Sequence, residues 1–267
     1  LTQFAEGLTR RYIHQSLFKR NTSVIKLICF LKRNPKLTRA EFHEHWANVH
    51  GPLFANTPEL RRHVARYEQN PRSKGDYMRD PETLPYDEQG FDGVTVMWYE
   101  SMEQFQAMVE DPVYQEKVVP DEQHLLGAQP TSWIIAGKEN VIVDKPGGRS
   151  KATSKLICLL RRNSALDIAS YRKHWLEHHG GLFQDVESLN KDINAYDQNC
   201  RLDIDYEIGP ERNFDGVTEQ WFDSLERFHQ SLGEPEQKTL VEPDVAYLLD
   251  PAGTHLVMSD IPRVIIE

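Results

Sequence analysis

The sequence predicts an α+β chain of two βαββαβ units in tandem, their sheets packed face to face as an intramolecular pseudo-dimeric barrel. Three observations carry this reading. Residues 26–34 (KLICFLKRN) recur as residues 155–163 (KLICLLRRN), 129 positions later. That shift superposes His45-Trp46 on His174-Trp175, His50-Gly51 on His179-Gly180, and Tyr67-Glu68-Gln69-Asn70 on Tyr196-Asp197-Gln198-Asn199. Past a Pro/Gly/Asp-rich insertion the shift falls to 123 and superposes Phe91-Asp92-Gly93-Val94-Thr95 on Phe214-Asp215-Gly216-Val217-Thr218. In the same frame Trp98 falls on Trp221 and Pro120-Asp121 on Pro243-Asp244. This many matches in order make the chain a tandem duplication. The third observation is that the strands are apolar on both faces, so each needs cover on both sides.

Each element follows from its residues. In 24–33, Ile25, Leu27, Cys29 and Leu31 line one face and Val24, Ile28 and Phe30 the other, which reads as a covered strand. Thr38-Arg39-Ala40-Glu41 is a capping box, in which hydroxyl and carboxylate satisfy each other's free N–H groups at a helix start. The helix carries Phe42, Trp46 and Val49 on one face and is expected to stop at Gly51-Pro52. In the second copy Asp167 is the cap, with Tyr171 and Trp175 on the apolar face. Residues 63–70 and 91–99 read as strands. Ser101, or Ser224 in the second copy, caps a second helix bearing Met102, Phe105 and Val109, and residues 133–136 close the unit. This order is that of ferredoxin-like folds, with both helices on one face of a four-stranded sheet. The bare faces of the two sheets then cover each other, enclosing a lumen where a small molecule could sit. The expected division is an N-terminal arm (1–22, weakly amphipathic over 4–19), a first unit (23–143), a flexible linker (144–153) and a second unit (154–267).

Composition narrows the function. At 39% hydrophobic and 27% charged, the 267 residues are ordinary globular material, neither collagen-like nor disordered. No apolar run nears the roughly 20 residues of a membrane-spanning helix. A net charge of -10 opposes binding to nucleic acid or anionic lipid. Three unpatterned cysteines speak against a disulfide framework or a four-cysteine zinc site, and reduced thiols suit the cytoplasm. No phosphate-binding loop, dinucleotide G-x-G-x-x-G or G-x-S-x-G elbow is present.

The run from Phe42 through His45-Trp46 to His50-Gly51-Pro52-Leu53, with Phe91-Asp92-Gly93-Val94 and Trp98 downstream, resembles the EthD domain family of the dimeric α+β barrel superfamily. The resemblance spans about residues 24–137 and 155–259; the second copy departs from it at Gly181, where the motif has Pro. Such families dimerise to close the barrel, so the tandem chain resembles a fused dimer. The resemblance implies a choice among cofactor-free decarboxylases and dehydratases of aromatic polyketides, lactone isomerases, small monooxygenases and proteins serving ether degradation. Some relatives bind haem through a proximal His. One fold hosts many chemistries, so the site must decide.

His50 and His179 are the expected acid–base groups, each beyond a buried Trp; the structural alternative is a helix-end His satisfying local carbonyls. His45 and His174 are expected to orient or bind substrate. Tyr67 with Gln69, and Tyr196 with Gln198, alternate on one face of a strand. Facing the lumen, they would bind a polar substrate together with Trp98 and Trp221; facing the helices, each Gln would need a buried partner. Glu219 stands where the first copy has Val96 and is the expected proton-transfer partner of a His. It is either buried with a raised pKa or exposed at the barrel mouth. Asp92, Asp215, Asp121 and Asp244 are accounted for by turns and caps, and His124 is replaced by Tyr247 in the second copy. His174-Trp175-Leu176-Glu177-His178 fits an H-x-x-E-H zinc pattern, but the first copy has Val49 at the last place, so no metal is expected. The resulting expectation is a cofactor-independent lyase, a decarboxylase or dehydratase of an aromatic small molecule. The rivals are a binding or accessory protein of an oxygenase system, an isomerase or cyclase, and a haem enzyme. The partner is a small aromatic substrate, with no nucleic acid and no membrane; homodimerisation of the tandem chain is left open.

Overall fold

The computed structural model describes residues 24–76, 86, 89–127, 132–209 and 212–267; the N-terminal arm and most of the inserted loop lie outside them. The first copy contributes β1 (Ile25–Leu31), β2 (Arg66–Pro71), β3 (Gly93–Tyr99), β4 (Ser132–Ala136) and β5 (Asn140–Asp144). The second contributes β6 (Ser154–Leu160), β7 (Ile193–Cys200), β8 (Gly216–Phe222), β9 (His255–Asp260) and β10 (Arg263–Ile266). The two sheets run β10-β2-β3-β1-β4 and β5-β7-β8-β6-β9, every pairing antiparallel. The four-stranded sheets expected from the sequence are therefore five-stranded, and the fifth strand of each comes from the other copy. β5 and β10 are themselves a repeat, 123 residues apart, and each crosses to the opposite sheet.

The sheets close into a barrel along two seams. β4 meets the end of β7 through an Ala136–Arg201 bridge and a Leu202 N–H to Ile135 carbonyl bond of 2.9 Å. β9 meets the end of β2 through an Arg72–Ser259 bridge and a Ser73 N–H to Met258 carbonyl bond of 2.8 Å. The space between the sheets is filled over one part and open as a cleft at one end, beside Trp98 and Trp221. Ile28, Phe30, Val94, Val96, Ile134, Ile157, Leu159, Val217 and Val257 form one continuous core there. That filling narrows the expected lumen to the cleft: the apolar inner residues close-pack, while the inner faces of β2 and β7 are polar, with Glu68, Asn70, Asp197 and Asn199.

Helices cover the outer faces. α1 (Arg39–His45) runs through a π-helical turn (Trp46–His50) into α2 (Gly51–Asn56), so Gly51-Pro52 does not end the helix. The second copy makes the same widened turn with Gly181 in place of Pro52, so the turn does not depend on the proline. The second layer is α3 (Met102–Glu110), a π-helical turn (Tyr114–Val118) and α4 (Val119–Leu126). In the second copy α5 (Ile168–Lys173), a π-helical turn (His174–His179) and α6 (Gly180–Asp185) are followed by α7 (Leu225–Ser231), a π-helical turn (Gln237–Val241) and α8 (Glu242–Leu248). The caps are as expected: Thr38 and Glu41 close the capping box, and Asp167, Ser101 and Ser224 each accept from a first-turn N–H. The segment 144–153 is a packed turn and short helix rather than a loose tether, with Arg149 paired to Asp197 at 2.8 Å. No helix among the described residues is long and apolar enough to cross a membrane.

Candidate functional site

In a regular helix, residues five apart point about 140° away from each other. The π-helical turn, closed by Gly51 N–H on the Trp46 carbonyl, brings them onto one face. His45 and His50 are five apart, and both reach the carboxylate of Asp121 at the start of α4: His45 Nε2 to Oδ1 and His50 Nδ1 to Oδ2, the latter at 2.7 Å. The same widening turns Val49 outward, leaving it 43% exposed, where a regular helix would bury it. His174, His179 and Asp244 repeat the arrangement in the second half, His179 Nδ1 lying 2.7 Å from Asp244 Oδ2. Asp121 and Asp244 were read from the sequence as turn and cap residues; they are instead the partners of the histidines. A signal was present, since all three members of the bridge recur in both copies while the neighbouring His124 does not.

Burial would raise the pKa of Asp121 and Asp244, but the hydrogen bonds from His50 and His45, and from His179 and His174, outweigh it and hold both carboxyls below their usual range. An ionised Asp121 accepts, so His50 donates from Nδ1, which leaves Nε2 outside that bond.

His50 lines a cavity of about 30 Å³ between the first sheet and its helices. The walls are mainly apolar and aromatic, among them Trp46, Phe54, Tyr67, Met97, Tyr99 and Met108. Glu122, the residue after Asp121, also lines it and is buried. Its Oε1 accepts from Tyr114 Oη at 3.0 Å, while Oε2 has no hydrogen-bond partner. Burial raises the Glu122 pKa more than nearby His50 and the Tyr114 hydrogen bond lower it, which favours the neutral acid. In the second half Val245 replaces Glu122 and Gln237 replaces Tyr114. Glu122 escaped the sequence reading because one acidic residue beside another on a helix carries no mark of burial.

The remaining candidates fall into other places. Tyr67 and Gln69 face the helices and not the space between the sheets. Gln69 has the buried partners such a position demands: its Nε2 donates to the Trp46 carbonyl at 2.7 Å and to Tyr67 Oη at 3.0 Å, and its Oε1 accepts from Arg263 of β10 at 3.0 Å. Gln198 and Tyr196 repeat this, with the Trp175 carbonyl at 2.8 Å and Asn140 of β5 at 3.1 Å. The glutamines thus bracket the π-helical turns and tie them to the exchanged strands. Gly51 and Gly180 serve the same junction: a Cβ would lie 2.9 Å from Ile265 of β10 at Gly51 and 2.7 Å from Ile142 of β5 at Gly180. Gly93 and Gly216 likewise make room for the Trp46 and Trp175 rings, and Asp92 and Asp215 bind Arg33 and Arg162. Much of the repeated signature is therefore packing.

Trp98, Trp221 and Glu219 lie between the sheets, at a mixed-charge cleft of about 630 Å³. Glu219 is neither near a His nor proton-bearing. Burial would raise its pKa, but Lys155 at 2.7 Å and Lys26 at 3.5 Å overcome this and bring it down to about 2. The expected site of His, Glu219 and Trp is thus split across a sheet. A haem-sized macrocycle does not fit beside His50 either. Such ligands need cavities of roughly 300 Å³ or more, and the rings of Trp46, Phe54, Tyr67 and Tyr99 occupy that space.

Comparison with known proteins bears on the fold. The family model described as the EthD domain matches residues 34–129 and again 163–252. Comparison with curated proteins returns no significant match. Among solved structures, a candidate monooxygenase from Fusobacterium nucleatum subsp. nucleatum superposes with a TM-score of 0.53 at 6% identity, covering 91% of this chain and 94% of that one. An anthrone oxidase-like protein superposes with a TM-score of 0.52 at 7% identity, covering 94% and 96%. At these identities the likeness is one of fold.

Proposed function

Since the chain belongs to the EthD domain family in both of its halves, we propose that its first half is a cofactor-independent lyase site that eliminates water from an aromatic small molecule. One observation carries the reading: a histidine and a buried carboxyl, His50 and Glu122, line the same apolar cavity, and the carboxyl is absent from the second half. His50, oriented by Asp121, takes a C–H proton through Nε2. The electron pair left on carbon forms the new double bond. Glu122 gives its proton to the departing hydroxyl, which leaves as water. The aromatic walls hold the ring and exclude solvent. The cavity as it stands takes little more than a water-sized group, so this reading requires the lining side chains of Met97 and Met108 to move aside when an aromatic substrate binds.

The test is an absorbance assay on aromatic β-hydroxy ketones, which gain conjugation when water is lost. His50→Gln and Glu122→Gln are each expected to lower the rate by about 10²–10⁴-fold, while His179→Gln stays close to wild type. Equal losses from His179→Gln and His50→Gln would remove the assignment to the first half. Oxygen uptake in place of water loss would replace the lyase with the oxygen chemistry carried by the names of the fold relatives. Binding without turnover would favour an accessory protein.

A further inference from the structure

Among the described residues, one group of His, Cys, Asp or Glu side chains brings three ligand atoms together: His174, His178 and Asp244, within 4.8 Å of one another. His178 Nε2 lies 3.5 Å from Asp244 Oδ1, the oxygen that His174 Nε2 also binds, and the two imidazole rings are 4.6 Å apart. The carboxylate is held from outside the group, because its Oδ2 is bound by His179 Nδ1 at 2.7 Å. Outer partners of this kind orient the ligands of real metal sites. The His178 side chain is 59% exposed, so an ion can enter and keep water ligands. The first half shares His45 and Asp121 but has Val49 in place of His178, so the third ligand belongs to the second half alone.

We propose that the second half binds one divalent transition-metal ion through Nε2 of His174, Nε2 of His178 and Oδ1 of Asp244. Two imidazoles and one carboxylate suit Zn²⁺, Co²⁺, Ni²⁺ or Cu²⁺, whereas Mg²⁺ and Ca²⁺ favour all-oxygen shells. The ion takes the place of the proton now shared by His174 Nε2 and Asp244 Oδ1. That proton passes to His174 Nδ1 or to solvent. The H-x-x-E-H spacing contributes its two histidines, and the carboxylate arrives from α8, 66 residues beyond His178 (244 less 178).

The experiment is calorimetric titration of the metal-stripped full chain with ZnCl₂, beside His178→Val, which installs the first-half residue at an exposed position. Wild type is expected to bind one Zn²⁺ per chain. His178→Val should bind at least about 10–100-fold more weakly, the loss typical even of outer-partner changes. CoCl₂ should give visible ligand-field bands in wild type that the variant lacks, and MgCl₂ should give no binding heat. His50→Gln should leave Zn²⁺ binding unchanged, which separates this site from the lyase reading. Equal affinity in wild type and His178→Val, or no binding to wild type, overturns the proposal.

Discussion

Glu219 shows how much a single side chain depends on its neighbours. It stands between Val217 and Trp221 on β8, and burial alone would make it a neutral acid. Instead Lys26 and Lys155, equivalent residues of β1 and β6, flank it from both copies and keep it ionised. Glu219→Gln would leave two buried ammonium groups facing an amide. Breaking a buried ion pair typically costs about 3–5 kcal/mol, and the low end is expected because Glu139 and Glu68 remain as partners. Urea denaturation of the variant at neutral pH checks this. A carboxyl whose folded pKa is depressed stabilises the fold above its ordinary value of 4.5, and that contribution is lost as pH falls toward about 2. Wild type should therefore lose more stability than Glu219→Gln over that window. The residue's asymmetry with Val96 was legible in the sequence; its charge state was not. The two lysines lie far away in sequence, and each reads as an isolated cation on an otherwise apolar strand.

At the scale of elements, the π-helical turns decide where the chemistry lies. The cap, the buried Trp and the buried His of each copy were legible from spacing. The extra residue in the turn was not, because a period of 3.6 and a single wider turn differ by one position at its far end. That one position moves Val49 outward and lets His45 and His50 share Asp121. Gly51 makes the junction possible by admitting Ile265 and Gln69 against the helix. Gly51→Ala forces a Cβ to within 2.9 Å of Ile265 and 3.1 Å of Gln69. Overpacking of this kind costs about 1–3 kcal/mol. The expected outcome is a lower denaturation midpoint with an unchanged urea slope, and a midpoint equal to wild type would show that the β10 contact is slack.

At the scale of the molecule, the duplication was fully legible, because identical residues recur in order, and so was the packing of one sheet on the other. The exchange of β5 and β10 was not. The sequence reading closes the unit at residues 133–136 and assigns no strand beyond it, and nothing in Asn140-Val141-Ile142-Val143 says which sheet edge that segment meets. The choice is one of geometry: without the exchanged strands β7 and β2 would be the open edges, next to the segments that follow β4 and β9. β10 and β5 then form the outer edges of their sheets, and at four and five residues they are short, which limits the addition of a further strand.

The exchange has a thermodynamic consequence. Neither copy owns a complete sheet, so melting one withdraws an edge strand and a seam from its neighbour and uncovers the neighbour's inner face. Although the chain holds two outer cores and descends from two equal units, it should unfold all-or-none. A calorimetric scan is expected to show one endotherm, with its van't Hoff enthalpy matching the measured heat for the whole chain. Two separate endotherms would mean that the reciprocal strands are ornaments on independent halves.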